Sequence, residues 1–276
     1  MAGSVPELPL PGAPLLLATE EVRLLWSFVH GDIMSAPMRT WLRASLGFCP
    51  RHTWAYAVVE VELWESGVGA RGGHQPFDVS VLYEDLCREA ASRLARGRAW
   101  GRRPDAALLP SRPCYLCTQL AAPAREGLAI GYANSNSVAL AAEANLARHT
   151  RHWCSATLDT WEPLACPACL GRLAGAGDGG NGRGGGVDDG AWLCRLHLAE
   201  ALRAGRADDA DPAAGLPAAA RRLNRLADRL GAFAESMTAA GPPADAEVET
   251  SWIVALGFFA GWRFPAYLAG AAVGEG

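Results

Sequence analysis

Two short motifs, Cys166-Pro-Ala-Cys169 and Cys194-Arg-Leu-His197, restrict the fold of this chain more than any other feature. Two cysteines three apart in a tight turn aim both sulfurs at one point. The backbone N–H groups of such a turn can donate to thiolates, and Gly171 permits close backbone approach. A tetrahedral zinc ion takes four nitrogen or sulfur ligands, so a single pair is half a site. Cys194 and His197 have the matching spacing at the start of a predicted helix. Together the four make a Cys3His set. The segment between them is rich in glycine and can take any path without disturbing either pair.

The remaining cysteines follow a similar arrangement. Gly47-Phe48-Cys49-Pro50-Arg51-His52 is a second Cys-x2-His, opening a helix that carries Trp54 and Trp64. Cys114-Tyr-Leu-Cys117 is a second Cys-x2-Cys, with His149, His152 and Cys154 downstream. The chain reads as a rough repeat in which a cysteine pair is followed by a helical stretch and then by a Cys-x2-His pair. Two pairings stay open for Cys114 and Cys117: with Cys49 and His52, or with Cys154 and one of His149 and His152. The first uses two clean pairs and is favoured. One or two zinc ions are expected. Cys87 falls on an apolar helix face beside Tyr83 and Ala90 and reads as a small buried hydrophobe. His30 sits at a helix C-terminus and His74 in a Gly-rich turn; neither is assigned chemistry.

These motifs resemble an uncharacterised bacterial family with duplicated Cys-x2-Cys … Gly-Phe-Cys-x2-His units. Gly47-Phe48-Cys49-x2-His52 and Cys114-Tyr-x-Cys117 carry the likeness. The resemblance implies a helical, metal-binding protein and no established reaction. The chain departs from the pattern in two places. Pro14-Leu15-Leu16-Leu17 stands where a first cysteine pair is expected, and Thr157 stands where a histidine would follow Cys154.

Hydrophobic periodicity predicts an all-α fold. Apolar stripes run through Val22, Leu25, Trp26 and Val29; Trp54, Val58, Val61 and Trp64; and Val79, Leu82, Tyr83, Leu86 and Ala90. Leu223, Leu226, Leu230, Phe233 and Met237 follow helical spacing with Arg and Asp between them. Trp252, Leu256, Phe259 and Trp262 extend the pattern into the last helix. The zinc knuckles are expected to tie helix ends together, with Gly-rich loops between and long helices at the C-terminus. Breakers fall at Gly67 to Gly73, Arg96 to Arg112, Ala174 to Gly190 and Asp208 to Pro217. The organisation expected is a flexible stretch 1–17, a helical metal-binding region 18–160, a second knuckle unit 161–205 with its Gly-rich loop 174–190, and a helical hairpin 206–276, all in one compact domain.

Composition narrows the function classes. Half of the 276 residues are hydrophobic, and ten tryptophans need burial. All 25 basic residues are arginine, which with abundant Ala, Gly and Pro reads as GC-rich bacterial coding. A net charge of −4 argues against a dedicated nucleic-acid surface, and the arginines from Arg93 to Arg112 read as a solvated linker. No signal-peptide pattern opens the chain. Arg263 and Pro265 interrupt the apolar tail before it reaches the ~20 residues of a membrane span. The location expected is cytoplasmic, where cysteines serve as metal ligands or core residues. No phosphate-binding glycine pattern, nucleophile elbow, haem-attachment motif or His-x-Glu … Pro-Cys-x2-Cys deaminase signature is present. Glu20/Glu21, Glu60/Glu62 and Asp208/Asp209 read as solvated acid pairs. The leading expectation is a non-enzymatic zinc protein whose closed sites hold helix ends while an outer face meets a protein partner. The alternatives are a metalloenzyme with an open site at Cys114, Cys117 and Cys154, and a redox or metal sensor.

Overall fold

The computed structural model describes residues 19–29, 32–65, 76–99, 104–121, 164–169, 193–203, 212–238 and 240–262. Within them every regular element is helical and none is a strand. The α-helices are α1 (Thr19–Val29), α2 (Ala36–Ser45), α3 (Pro50–Glu65), α4 (Phe77–Ala99), α5 (Tyr115–Ala121), α6 (Arg195–Arg203), α7 (Pro212–Ser236), α8 (Ala246–Glu249) and α9 (Ser251–Ala260). Two short 3-10 turns, Asp32–Met34 and Pro104–Leu108, lie between them. No described helix is long and apolar enough to cross a membrane.

The longest two helices, α4 and α7, pair along their lengths. Val79, Leu82, Tyr83, Leu86 and Ala90 stand at helical spacing on α4 and are fully buried. Leu223, Leu226, Leu230 and Phe233 form the facing stripe of α7, with Met237 partly buried at its end. Cys87 lies in the same core, as its apolar position predicts. At the rim, Arg88 bonds Glu84 and Asp228. Exposed pairs of this kind stabilise by ~1 kcal/mol at most, so apolar burial decides the pairing.

Helix α9 is apolar on every side, which marks a fully buried helix. It packs against α3, α4, α6 and α7. Helix α9 stops at Ala260 because Gly261 takes a left-handed φ of 75°. Trp262, predicted to lie in that helix, instead falls just past its end and folds back over Gly257. Its ring centroid lies 5.6 Å from that of Trp54, whose Nε1–H donates to the Gly261 carbonyl at 3.0 Å.

Helix α2 shows why Gly47-Phe48 precedes the Cys49 pair. The helix closes in a Schellman turn, with Gly47 N–H donating to Leu42 O at 2.8 Å and Leu46 N–H to Arg43 O at 3.2 Å. Leu46 and Gly47 both have positive φ. A side chain at Gly47 would also press on Leu86 Cδ1 at 3.2 Å. Phe48 is buried and meets Phe28 edge to face at 5.1 Å and Tyr56 at 5.7 Å. The dipeptide turns the chain and anchors it immediately before Cys49.

Three expectations need correction. The segment from Arg96 begins as helix rather than linker: Ala90, Ala91 and Leu94 are buried on the preceding turns, and α4 runs on to Ala99. Arg93 pairs with Glu89 at 2.8 Å, and Arg112 lies over the Trp41 ring. The Asp208–Pro217 linker gives way to α7 at Pro212, where a proline suits the first helical position. Pro217 removes one helical hydrogen bond, and the buried Leu216 and Ala220 beside it offset that loss. Glu60 is buried rather than solvated: its carboxylate accepts from the N–H groups of Asp78 (2.6 Å) and Val79 (2.8 Å), capping α4 from α3. The side chains of Val22, Trp26, Val29, Val58, Val61, Glu62 and Trp64 lie outside the description, as do His30, His74, Asp208 and Asp209.

A Cβ at Gly257 would overlap the Trp262 indole. Gly257→Ala is therefore expected to displace Trp262 and to destabilise the protein by about 1–3 kcal/mol. Urea denaturation followed by tryptophan emission measures this; an unchanged midpoint and unchanged emission would contradict the packing described.

Candidate metal centres

The residues that open helices α3, α5 and α6 carry most of the candidate ligands. Cys49 stands just before Pro50, the first residue of α3, and its carbonyl accepts from Thr53 N–H at 2.9 Å. Cys114 stands just before α5, and its carbonyl accepts from Thr118 N–H at 3.1 Å and Thr118 Oγ1 at 3.0 Å. Cys194 precedes α6, and its carbonyl accepts from Leu198 N–H at 2.8 Å. In each motif the second ligand, His52, Cys117 or His197, lies three residues on. Positions i and i+3 of a first helical turn face the same side, so each pair converges. The Cys166–Cys169 pair lies on a turn within 164–169.

These pairs meet in two clusters that could hold a metal ion. Cys49, His52, Cys114 and Cys117 make the first, here called the outer centre. Cys166, Cys169, Cys194 and His197 make the second, the inner centre. In each, one candidate ligand atom per residue lies within 4.8 Å of all the others. In the outer centre His52 Nδ1 lies 3.3 Å from Cys49 Sγ, 3.6 Å from Cys114 Sγ and 3.4 Å from Cys117 Sγ. Cys49 and Cys117 are 3.7 Å apart. In the inner centre His197 Nδ1 lies 3.4 Å from Cys166, 3.5 Å from Cys169 and 3.2 Å from Cys194. Cys169 and Cys194 are 3.7 Å apart. No described cysteine forms a disulfide. The structure brings Cys114 and Cys117 together with Cys49 and His52. His149, His152 and Cys154 lie outside the described residues.

The chain leading to Cys114 is tied to α2. Ser111 N–H donates to Ala44 O at 2.9 Å, and the Trp41 indole donates to Pro113 O at 3.1 Å. Tyr115 packs against Phe28 and Trp41. This brings Cys114 to Cys49, which follows α2 through the Schellman turn.

Glu21 was not expected at the outer centre; as half of an acid pair it read as solvated. It is buried, and its Oε1 lies 3.0 Å from His52 Nε2. Arg51 donates to both carboxylate oxygens of Glu21, at 2.7 and 2.9 Å. A carboxylate at Nε2 makes that nitrogen the donor and leaves the Nδ1 lone pair facing the three sulfurs. The sequence carried one signal for this. Glu21, Leu25 and Phe28 share a helical face, and Leu25 and Phe28 are core residues. The inner centre gains Gly261 and Trp262 from the end of α9. Trp262 N–H lies 3.4 Å from Cys169 Sγ. A Cβ at Gly261 would come 3.5 Å from Cys169 Sγ and 3.8 Å from Cys194 Sγ. Nothing in spacing links these residues to a cysteine 93 positions away.

The electrostatics of both clusters turn on crowded sulfurs. Hydrogen bonds from Cys117 and Cys49 hold the Cys114 thiol far below its usual value. The hydrogen bond with Cys114, together with burial, pushes Cys49 and Cys117 up. In the inner centre, hydrogen bonds from Cys169 and Cys194 lower Cys166, and Cys194 is pushed up by Cys166, Cys169 and burial. His197 is raised to about 10 by hydrogen bonding to Cys166 and Cys169. Burial opposes charging His52, but hydrogen bonds to Cys114 and Glu21 outweigh it. Protons are therefore shared unequally. Charging every thiol in either cluster at once requires a cation among them.

No family model, no curated protein and no solved structure matches this chain.

Glu21→Gln keeps the shape of the side chain but weakens the acceptor at His52. Metal affinity at the outer centre is expected to fall about 10- to 100-fold, the usual effect of losing such a partner. Competition with a chromophoric chelator would read this as a shift of one of two binding steps. No shift, or an equal shift of both, would contradict the role given to Glu21.

Proposed function

We propose that this chain is a zinc-binding helical protein whose two Cys3His centres hold helix ends together. The observation that carries the reading is the spacing of the donor atoms. A tetrahedral zinc ion, with bonds of about 2.3 Å to sulfur and about 2.1 Å to nitrogen, sets its ligands about 3.8 Å apart for two sulfurs and about 3.6 Å for sulfur and nitrogen. Cys49–Cys117 and Cys169–Cys194 have 3.7 Å between sulfurs, and sulfur and nitrogen lie 3.2–3.6 Å apart. Thiolate and imidazole together suit zinc over the hard cations, which prefer oxygen.

A buried charge supports the same assignment. Arg195 is only 5% exposed, and it donates to the carbonyls of Phe259 (3.2 Å) and Leu108 (2.7 Å). Burial lowers its pKa to about 10, still charged at neutral pH, and the adjacent Cys194 acts to raise it. A divalent ion held by three thiolates and a neutral imidazole carries one net negative charge. Such an inner centre would give Arg195 a counter-charge beside it.

Four protein donors per centre favour closed structural sites over a catalytic site with a position left for water. A scaffold of this kind serves to present a surface, and a protein partner is the role that follows. Met34, Leu109 and Leu196 offer exposed apolar contacts for one. The folding energy of structural zinc sites comes largely from the metal, so chelation is expected to unfold the helices nearest the centres.

Native mass spectrometry tests the reading. The wild-type chain is expected to carry two zinc ions, and Cys49→Ser and Cys166→Ser one each. A purified chain without zinc, or one whose two centres empty together in either variant, would overturn it.

A further inference from the structure

The two clusters differ in how far their sulfurs are shielded. Cys166, Cys169 and Cys194 are 0%, 3% and 2% exposed. Gly261 and the Trp262 backbone cover the inner sulfurs from the side of α9. In the outer centre Cys117 is exposed, and Cys49 and Cys114 are partly buried. Cys117 lies on α5, a seven-residue helix whose only buried side chain is Leu116. Its Sγ is 3.7 Å from Cys49 Sγ. On the zinc reading Cys117 is an exposed thiolate 3.7 Å from a second sulfur, an arrangement that favours oxidation by peroxides.

We propose that the outer centre is a peroxide-responsive zinc switch in which Cys117 is oxidised first and Cys49 resolves it, while the inner centre keeps its metal. This rests on the zinc reading above and adds regulation to it. The Cys117 thiolate attacks one oxygen of hydrogen peroxide. The O–O bond breaks, a sulfenic acid forms at Sγ, and the leaving hydroxide takes a proton from solvent. The Cys49 thiolate then attacks that sulfur. The S–O bond breaks, the second hydroxide leaves as water after protonation, and the Cys49–Cys117 bond forms. Two thiolates have given two electrons to one peroxide, which ends as two waters.

Closing the bridge brings the sulfurs from 3.7 Å to the ~2.05 Å of a disulfide. Zinc then retains only Cys114 and His52 and leaves to solvent. His52 and Glu21 lose their link to the metal, which loosens α1 from the start of α3. The inner centre, shielded by the core, goes on holding α6 against the 164–169 turn. The switch therefore acts on one end of the bundle.

The test uses the zinc-loaded full chain and hydrogen peroxide, with a chromogenic chelator reporting released zinc. One equivalent is expected to appear at least tenfold faster than the second. Peptide mapping after that first phase should find Cys49 bridged to Cys117, with Cys166, Cys169 and Cys194 unmodified. Thiol reductant plus zinc should then restore the starting stoichiometry. Both ions leaving together, neither leaving, or a first-phase bridge that omits Cys117 would overturn the proposal. A chain that carries no zinc before peroxide is added would instead overturn the zinc reading itself, so the two failures are distinct.

Discussion

Three sulfurs and an imidazole nitrogen crowded within one coordination radius set the terms for this structure. Like charges at 3–4 Å repel, and partly buried thiolates have little water to screen them. Without a cation the protons are shared unequally, with Cys114 held low by its neighbours and Cys49 pushed up. With a divalent ion the same geometry becomes attractive. The helical packing places these groups at two points, and on the proposed reading the metal turns that convergence from a cost into a bond.

The centres join segments that are far apart in sequence. The outer one links the start of α3 to the start of α5. Through Glu21 it also reaches α1, which packs against both helices. The inner one links the 164–169 turn to the start of α6, and α9 closes over it. Between them lies a core built from α3, α4, α7 and α9, in which Trp54 bonds the Gly261 carbonyl beside the inner sulfurs. The core and the clusters are thus coupled through particular residues. Trp262 packs on Gly257 and Trp54 with its ring while its backbone meets Cys169.

Much of the candidate site was legible because the pairs that could ligate a metal have a local spacing. A Cys-x2-His at a helix start can be recognised without knowing the fold, and so can an apolar stripe such as Val79 to Ala90. What stayed hidden is what spacing does not encode. Glu21 and Glu60 look like ordinary surface acids until their helices are placed; one then proves to hold His52 and the other to cap α4. Gly261 and Trp262 reach the inner sulfurs only through tertiary packing. That Cys114 and Cys117 come beside Cys49 and His52 depends on where Ser111 and Trp41 fasten the chain, a contact across 72 residues in the case of Trp41. Pro217 and the arginines after Leu94 misled for a related reason, since apolar burial extended helices past residues that usually end them.

X-ray absorption at the zinc edge tests the central claim most directly. Two Cys3His centres predict an average shell of three sulfurs at about 2.3 Å and one nitrogen at about 2.0–2.1 Å per zinc, with the multiple-scattering signature of one imidazole. A shell dominated by oxygen or nitrogen, or an average of two sulfurs or fewer per ion, would contradict it.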